Sequence, residues 1–310
     1  MIGIKAISSY LPQGQIDNLQ QAKKFGETED FINNKIGAIN LPVTEIGQAT
    51  SDLAVQAVLD LLDQSRLKLT DIDALVVITQ NPDGMGLPHT SAIVQQKLGL
   101  HSQVAAFDVS LGCSGYVYGL SILRGLMEQA GLKNGVLVTV DPYSKVINRD
   151  DRITSLLFGD AATATWLGEN PEFQFGRPIM ETDGSGRDSL YVDEQRQLHM
   201  NGRQVFNFAA VRVPHQINRY LEENKLTPSD IDLFCLHQGS VAIVDAISRR
   251  FADVQDRFVK DILNTGNTVS SSIPIILKKY VLGKNINRIL ICGFGVGLSW
   301  ATNMIEKEKR

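Results

Sequence analysis

Three side chains in this 310-residue sequence have the chemistry to act together on a carbonyl group: Cys113, His237 and Asn267. Cys113 lies in AFDVSLGCSGYVYGLSILRGLMEQAG, where an apolar strand runs through Gly-Cys-Ser-Gly directly into an apolar helix. The thiolate, not the thiol, is the useful nucleophile. A helix N-terminus carries roughly half a positive charge and unpaired N–H groups, which is expected to stabilise that thiolate. Gly112 and Gly115 permit a tight turn and the close approach of a substrate. Taken alone, the corner suits a buried structural cysteine equally well. His237 ends the apolar run IDLFCLH, at the C-terminal strand edge where α/β sites collect. Asn267, in NTGNTVSSS, read by itself is a turn residue or a helix cap. As a set, the three supply one nucleophile and two hydrogen-bond donors able to face one carbonyl.

The elements that must position them occur twice. LTDIDALVVITQ (69–80) and LTPSDIDLFCLHQ (226–238) share Leu-Thr, an Asp-Ile-Asp turn and a buried strand. Each follows an amphipathic helix, expected over Asp52–Gln64 and Pro214–Asn224. Each precedes another helix, Thr90–Leu98 and Val241–Phe251, then a short strand with an acid in it, AAFDVSLGC and FVKDILNTGN. Helices over Ser114–Ala130 and Ser270–Val281 follow, and GVLVTV and RILICG close the units. The order predicts an α/β fold of two pseudo-repeated halves, residues 1–168 and 169–310, with helices layered on mixed sheets. Equivalent corners then bring Cys113 of one half opposite Asn267 of the other, each just after a glycine. The helix after Cys113 is apolar on nearly every face (Val117, Leu120, Ile122, Leu123, Leu126, Met127) and is expected at the centre. A first strand is expected over Ile2–Ser9, and the stretch from Gly168 to Asn207 reads as loops and a hairpin over a site. GFGVGLSW after RILIC is not GxGxxG and leads into a strand-like SWATNMI, so no dinucleotide site is expected there. A turn that offers an N–H to an oxyanion is.

Composition narrows the function classes. A chain with 43% hydrophobic and 21% charged residues is ordinary for a globular protein, and a net charge of −4 provides no basic field for nucleic acid. No uninterrupted apolar run reaches the roughly eighteen residues of a membrane span, and MIGIKAISSYLPQGQ has no secretion-signal pattern. The cysteines, Cys113, Cys235 and Cys292, are odd in number and far apart. That argues against disulfides and zinc and for a reducing cytoplasm.

Five stretches carry a resemblance that runs nearly end to end: AFDVSLGCSGYVYGL, DRITSLLFGDAAT, LHQGS, TGNTVSSSIP and GFGVGLSW. They resemble the β-ketoacyl-acyl-carrier-protein synthase III family of the thiolase-like superfamily. The resemblance implies that Cys113 takes an acyl group from a thioester. A malonyl thioester, usually on acyl carrier protein, then decarboxylates, with His237 and Asn267 donating to its enolate oxygen. The carbanion attacks the acyl-cysteine, whose oxyanion would rest on the N–H groups of Cys113 and a residue near Val296. It further implies substrate contacts at Phe31, Lys35, Arg152, Phe206 and Ser240, and a homodimer whose Met85–Pro88 loop, with Leu87, closes the partner's acyl pocket. No metal or resident cofactor is implied; coenzyme A and carrier-protein phosphopantetheine arrive as substrate carriers.

Departures from the family pattern lie at the mouth. Phe31 stands for a tryptophan, Lys35 for an arginine, Ala242 for an arginine that helps receive the carrier, and Asn207 for a lysine, while Arg203 adds a charge nearby. Carrier docking or the acyl donor is therefore expected to differ from fatty-acid initiation. Two rival readings stay open on sequence: acyl transfer from Cys113 to an alcohol or amine without decarboxylation, and a silent subunit paired with an active homologue.

Overall fold

The computed structural model describes residues 1–282 and 284–308. Strands β1 (Ile2–Tyr10), β4 (Ala74–Ile78), β5 (Ala105–Val109), β6 (Asn134–Val140), β7 (Ala162–Glu169), β8 (Phe173–Phe175), β12 (Leu233–Leu236), β13 (Arg288–Gly295) and β14 (Ser299–Lys307) lie in the order β12-β13-β14-β8-β1-β7-β6-β4-β5, with β9 (Ile179–Thr182) on β14. Two small pairs stand apart, β2 (Gly14–Asp17) with β3 (Asn40–Val43) and β10 (Leu190–Val192) with β11 (Leu198–Met200). The order mirrors itself about the β1/β8 junction. β4 and β6 are parallel and β7 runs antiparallel to β6; likewise β12 and β13 are parallel and β14 is antiparallel. One residue pair, Ile4 with Phe173, joins the two groups into a single sheet.

The period-two alternation of the strands sorts side chains onto opposite faces. Val76 and Ile78 pack inward with the helix Gly115–Ala130 and the segment Ile273–Val281, together with Ile289 and Ile291 of the other strand group. Leu75 and Val77 face the helices Thr50–Asp63 and Thr90–Leu98. Leu290 and Cys292 face the helices Gly202–Glu223 and Val241–Ser248. The cysteine helix is thus central, touching strands of both groups.

The paired Asp-Ile-Asp turns do the same physical work. Asp73 Oδ2 accepts the N–H groups of Lys133 and Asn134, at 2.8 and 2.9 Å, where β6 begins. Asp232 Oδ2 accepts those of Asn287 and Arg288, both at 2.9 Å, where β13 begins. Each carboxylate fixes the start of the strand that leads into the site.

Several boundaries differ from the sequence expectation. The first strand extends one residue further, to Tyr10, and the helix expected to end at Phe251 stops at Ser248. The helix expected from Pro214 begins at Gly202, capped by the Asn201 side chain on Gln204 N–H at 3.1 Å. Its buried stripe (Phe208, Ala209, Val213, Ile217, Tyr220) runs through Pro214, and packing on the sheet outweighs the one backbone hydrogen bond that proline removes. The segment 270–281 is not one helix. A tight turn at Val269–Ser271 leads to a short α-helix, Ser272–Ile276, and a wide turn, Leu277–Val281. Its serines bond elsewhere: Ser270 Oγ to Asp141 and Ser271 Oγ with Thr139 Oγ1 at 2.8 Å. Within 168–207, β8 and β9 join the main sheet, and only β10–β11 is the expected hairpin.

Asp73→Ala and Asp232→Ala are expected to destabilise the fold by similar amounts, about 1 kcal/mol each, because each frees two strand-start N–H groups. Urea unfolding checks this; a loss confined to one of the two variants would break the equivalence.

Candidate active site

Cys113, His237 and Asn267 line one cavity of about 810 Å3. They are 4%, 2% and 4% exposed. Cys113 sits just ahead of the helix Gly115–Ala130. Close approach by β13 needs glycine: a Cβ on Gly295 would lie 2.7 Å from Cys113 Sγ, and one on Gly293 2.5 Å from the Cys113 carbonyl oxygen. The backbone N–H groups of Val296 and of Cys113 itself lie near the sulfur and favour its ionised form.

The electrostatics depart from what the corner alone suggests. Burial pushes the Cys113 thiol up to about 12, the nearby Asp141 carboxylate adds to the rise, and the two N–H groups oppose it only in part. The resting group is a thiol. Burial also holds His237 down at about 3, so its imidazole is neutral. Nδ1 of His237 lies 2.8 Å from Ser272 Oγ, and the edge of the Phe294 ring pair fixes the imidazole at 5.4 Å between centroids. Ser272 Oγ also lies 3.1 Å from the Val269 carbonyl oxygen, and its one proton serves either partner; with that proton on Nδ1, the neutral ring carries its own on Nε2, free to donate.

Asn267 is oriented by one contact. Its Oδ1 accepts the N–H of Val269 at 2.9 Å, which leaves the Nδ2 protons as the free end. Val269 makes this bond with φ at 52°, a left-handed conformation that a β-branched residue adopts only at a cost of about 1–3 kcal/mol. Nothing in TGNTVSSS marks this valine, because β-branched residues avoid that conformation and the sequence rules place glycine or asparagine there. Ser272, in the same run, also carried no separate signal.

Phe31, Arg152, Phe206, Ser240 and Arg203 line the same cavity. Arg152 is ion-paired with Glu27, and its guanidinium lies 5.8 Å from the Phe31 ring centroid. Val296 reaches the site through its backbone. Lys35 lies outside the lining and is exposed, and Leu87 is outside it at 88% exposure. Asn207 faces a separate, shallower pocket. The hairpin β10–β11 rims the cavity with Tyr191 and His199, which stack at 5.2 Å, and His199 Nε2 pairs with Asp193 at 2.7 Å. The sequence placed a hairpin here but named none of these residues. The Gly293–Trp300 stretch is the β13–β14 hairpin turn, as expected of a segment with no helix to form a nucleotide site. Among the described residues there is no cluster of His, Cys, Asp or Glu able to hold a metal and no helix long and apolar enough to cross a membrane; all three cysteines are free and buried.

Iodoacetamide labelling of Cys113 should rise about tenfold per pH unit between pH 7 and 9, since the thiolate fraction grows with pH below a raised pKa. Peptide mapping assigns the label, and a plateau within that range would place the thiol pKa far below about 12.

Known proteins resemble the chain over nearly its whole length. Residues 107–184 match the family model 3-oxoacyl-[acyl-carrier-protein (ACP)] synthase III, and residues 221–307 match its C-terminal counterpart. The chain is 34% identical to the β-ketoacyl-[acyl-carrier-protein] synthase III of Caldanaerobacter subterraneus subsp. tengcongensis, covering 99% of this chain and 98% of that protein. It is 32% identical to the enzyme of the same name from Deinococcus deserti, covering 98% and 91%. Among solved structures, the synthase III of Thermus thermophilus superposes with a TM-score of 0.91 at 32% identity, over 99% of this chain and all of that one. The priming β-ketosynthase of the R1128 polyketide pathway gives 0.88 at 26%, over 100% and 97%. The full-length matches span the cysteine corner, the histidine strand and the asparagine turn alike, and the fold they share is thiolase-like: the chain belongs to the β-ketoacyl-[acyl-carrier-protein] synthase III family.

Proposed function

We propose that this chain is a decarboxylative condensing enzyme that loads an acyl group on Cys113 and joins it to a malonyl thioester, giving a 3-oxoacyl thioester. The observation that carries the reading is the Val269–Asn267 bond, which turns an amide N–H donor toward the cavity that holds Cys113 and a neutral His237. Simple acyl transfer to an alcohol or amine generates no enolate and has no use for a second oriented donor.

In the first half-reaction the Cys113 sulfur attacks the acyl thioester carbonyl. The tetrahedral oxyanion accepts from the N–H groups of Cys113 and Val296, the C–S bond of the donor breaks, and the departing thiol carries the proton that Cys113 gives up. In the second, the malonyl C–C bond breaks and carbon dioxide leaves. The electron pair forms an enolate whose oxygen accepts from His237 Nε2–H and Asn267 Nδ2–H. Neutral donors suit this step, because buried charge is costly and a dry site strengthens hydrogen bonds to developing charge. The enolate carbon then attacks the acyl-cysteine carbonyl, the C–S bond breaks, and the departing Cys113 thiolate takes up one proton from water to return to the resting thiol. Phe31, Arg152, Phe206 and Ser240 line the path of the pantetheine arm, with acyl-CoA or acyl carrier protein as donors and acyl carrier protein bearing the malonyl group. Ala242, between the lining residues Ser240 and Ile243, leaves the mouth with one cation fewer than the family pattern, so carrier docking relies on other contacts, among them Arg203; Asn207 lies outside this cavity and does not bear on it.

We also infer a duplication, residues 1–168 and 169–310, supported by the mirrored strand order and the matched roles of Asp73 and Asp232. A homodimer is supported by β5, which ends the sheet with all five residues only half-buried, and by Met85 and Leu87, at 77% and 88% exposure. The protein is expected to sediment at twice its 34.1 kDa chain mass; a monomer at micromolar concentration would remove that support.

Cys113→Ala should abolish acyl loading, read as a mass gain on the intact protein. Asn267→Ala should keep loading within about threefold while slowing release of labelled carbon dioxide from malonyl thioester by about 100-fold. Equal loss of both steps would refute the assigned role of Asn267.

A further inference from the structure

Asp141 takes no part in the reaction steps, yet it bonds directly to the turn that carries Asn267. It is fully buried and follows the last residue of β6. From one side it is anchored to the end of β4. Its Oδ1 accepts the Gln80 N–H at 2.7 Å, and the Thr79 hydroxyl donates to the carboxylate as well. Gln80 is itself held by the Tyr143 hydroxyl, which donates to its Oε1 at 3.0 Å. From the other side, Oδ2 accepts the Ser270 hydroxyl.

Ser270 is the residue after Val269, whose N–H holds Asn267 Oδ1 at 2.9 Å from a φ of 52°. A β-branched residue keeps that conformation only where its surroundings over-determine it. Valine has no polar side chain to bond, so the polar restraint comes from the residues beside it. Ser271 Oγ meets Thr139 Oγ1 at 2.8 Å and the Thr139 carbonyl at 3.2 Å, which moors the far side of the turn to β6. The Ser270–Asp141 bond is the restraint next to Val269. Its loss would leave the turn attached and free the end that aims the amide.

We propose that Asp141 is a positioning residue for decarboxylation: acting through Ser270 and Val269, it aims the Asn267 N–H donor at the enolate oxygen. This rests on the condensing reading above.

The test uses the full-length protein with acetyl coenzyme A and labelled malonyl-acyl carrier protein. Ser270→Ala should slow carbon dioxide release about tenfold. Acetyl loading of Cys113, read as mass gain, should stay within about threefold of the wild type. In an Asn267→Ala background the same substitution should cost less than about twofold further, because the group it positions is gone. Asp141→Asn keeps the size of the side chain and an acceptor for Gln80 but removes the charge that opposes the Cys113 thiolate. It should reproduce the slow decarboxylation while raising iodoacetamide labelling of Cys113 about tenfold near neutral pH, with Cys235 and Cys292 still unlabelled. Labelling of all three cysteines marks a loosened core and overturns a positioning role. So does an unchanged rate of carbon dioxide release in folded Ser270→Ala, or a Ser270→Ala loss repeated in full without Asn267. If Asp141→Asn does not fold, the Ser270–Asn267 cycle decides alone. A wild type that releases no carbon dioxide overturns the condensing reading itself, and is distinguishable because it shows before any variant is compared.

Discussion

The site depends on a buried carboxylate at the seam between the two strand groups. Asp141, at the end of β6 and fully buried, accepts the Gln80 N–H at 2.7 Å and the Ser270 hydroxyl, with a further contact to Thr79. These bonds tie the end of β4, the end of β6 and the turn that carries Asn267 into one unit. An unpaired carboxylate in such a place is strongly disfavoured, so the bonds must form together for any of them to persist. Burial still raises Asp141 to about 7 despite its donors, and its negative charge contributes to keeping the Cys113 sulfur protonated. The same group that assembles the site thus opposes ionisation of its nucleophile, and the backbone N–H groups of Val296 and Cys113 act in the other direction.

Packing and chemistry share residues throughout the centre. Gly293 and Gly295 let β13 press against the cysteine corner, which buries the sulfur and simultaneously brings the Val296 N–H to it. Val269 accepts an unfavourable backbone conformation, and that conformation is what turns its N–H to Asn267. Strain here is held by full burial of the valine side chain. The serines after it give up helical regularity for bonds to Asp141, Thr139 and His237. Local preferences lose where the site gains, as expected of a functional region.

The amount of this that was legible in the sequence follows from which forces leave a local trace. The continuous apolar runs in LTDIDALVVITQ and LTPSDIDLFCLHQ marked buried strands, and the repeated acid in each turn proved to be a repeated bond, made by Asp73 and Asp232. The helix Thr90–Leu98 has the bounds its pattern predicts, because Asp108 caps it at Thr90 and Ser91 and Gly99 ends it. Pro214 misled, because a tertiary packing face carried the helix through it. The rise of the Cys113 thiol was invisible at the corner: a helix terminus is readable in sequence, whereas desolvation depends on everything packed around the sulfur. Val269, Ser272 and Tyr143 act through contacts with residues far along the chain, which no local pattern records.

The Arg152–Glu27 pair has a consequence for how substrates arrive. An arginine beside a cavity mouth would ordinarily draw phosphate groups from a distance and speed their capture. Here the charge is already matched by a neighbouring carboxylate. With −4 on the chain as a whole, the outer field offers an anionic carrier little guidance. Selection then falls to short-range contacts such as the Phe31 face beside Arg152, and the association rate should depend only weakly on ionic strength.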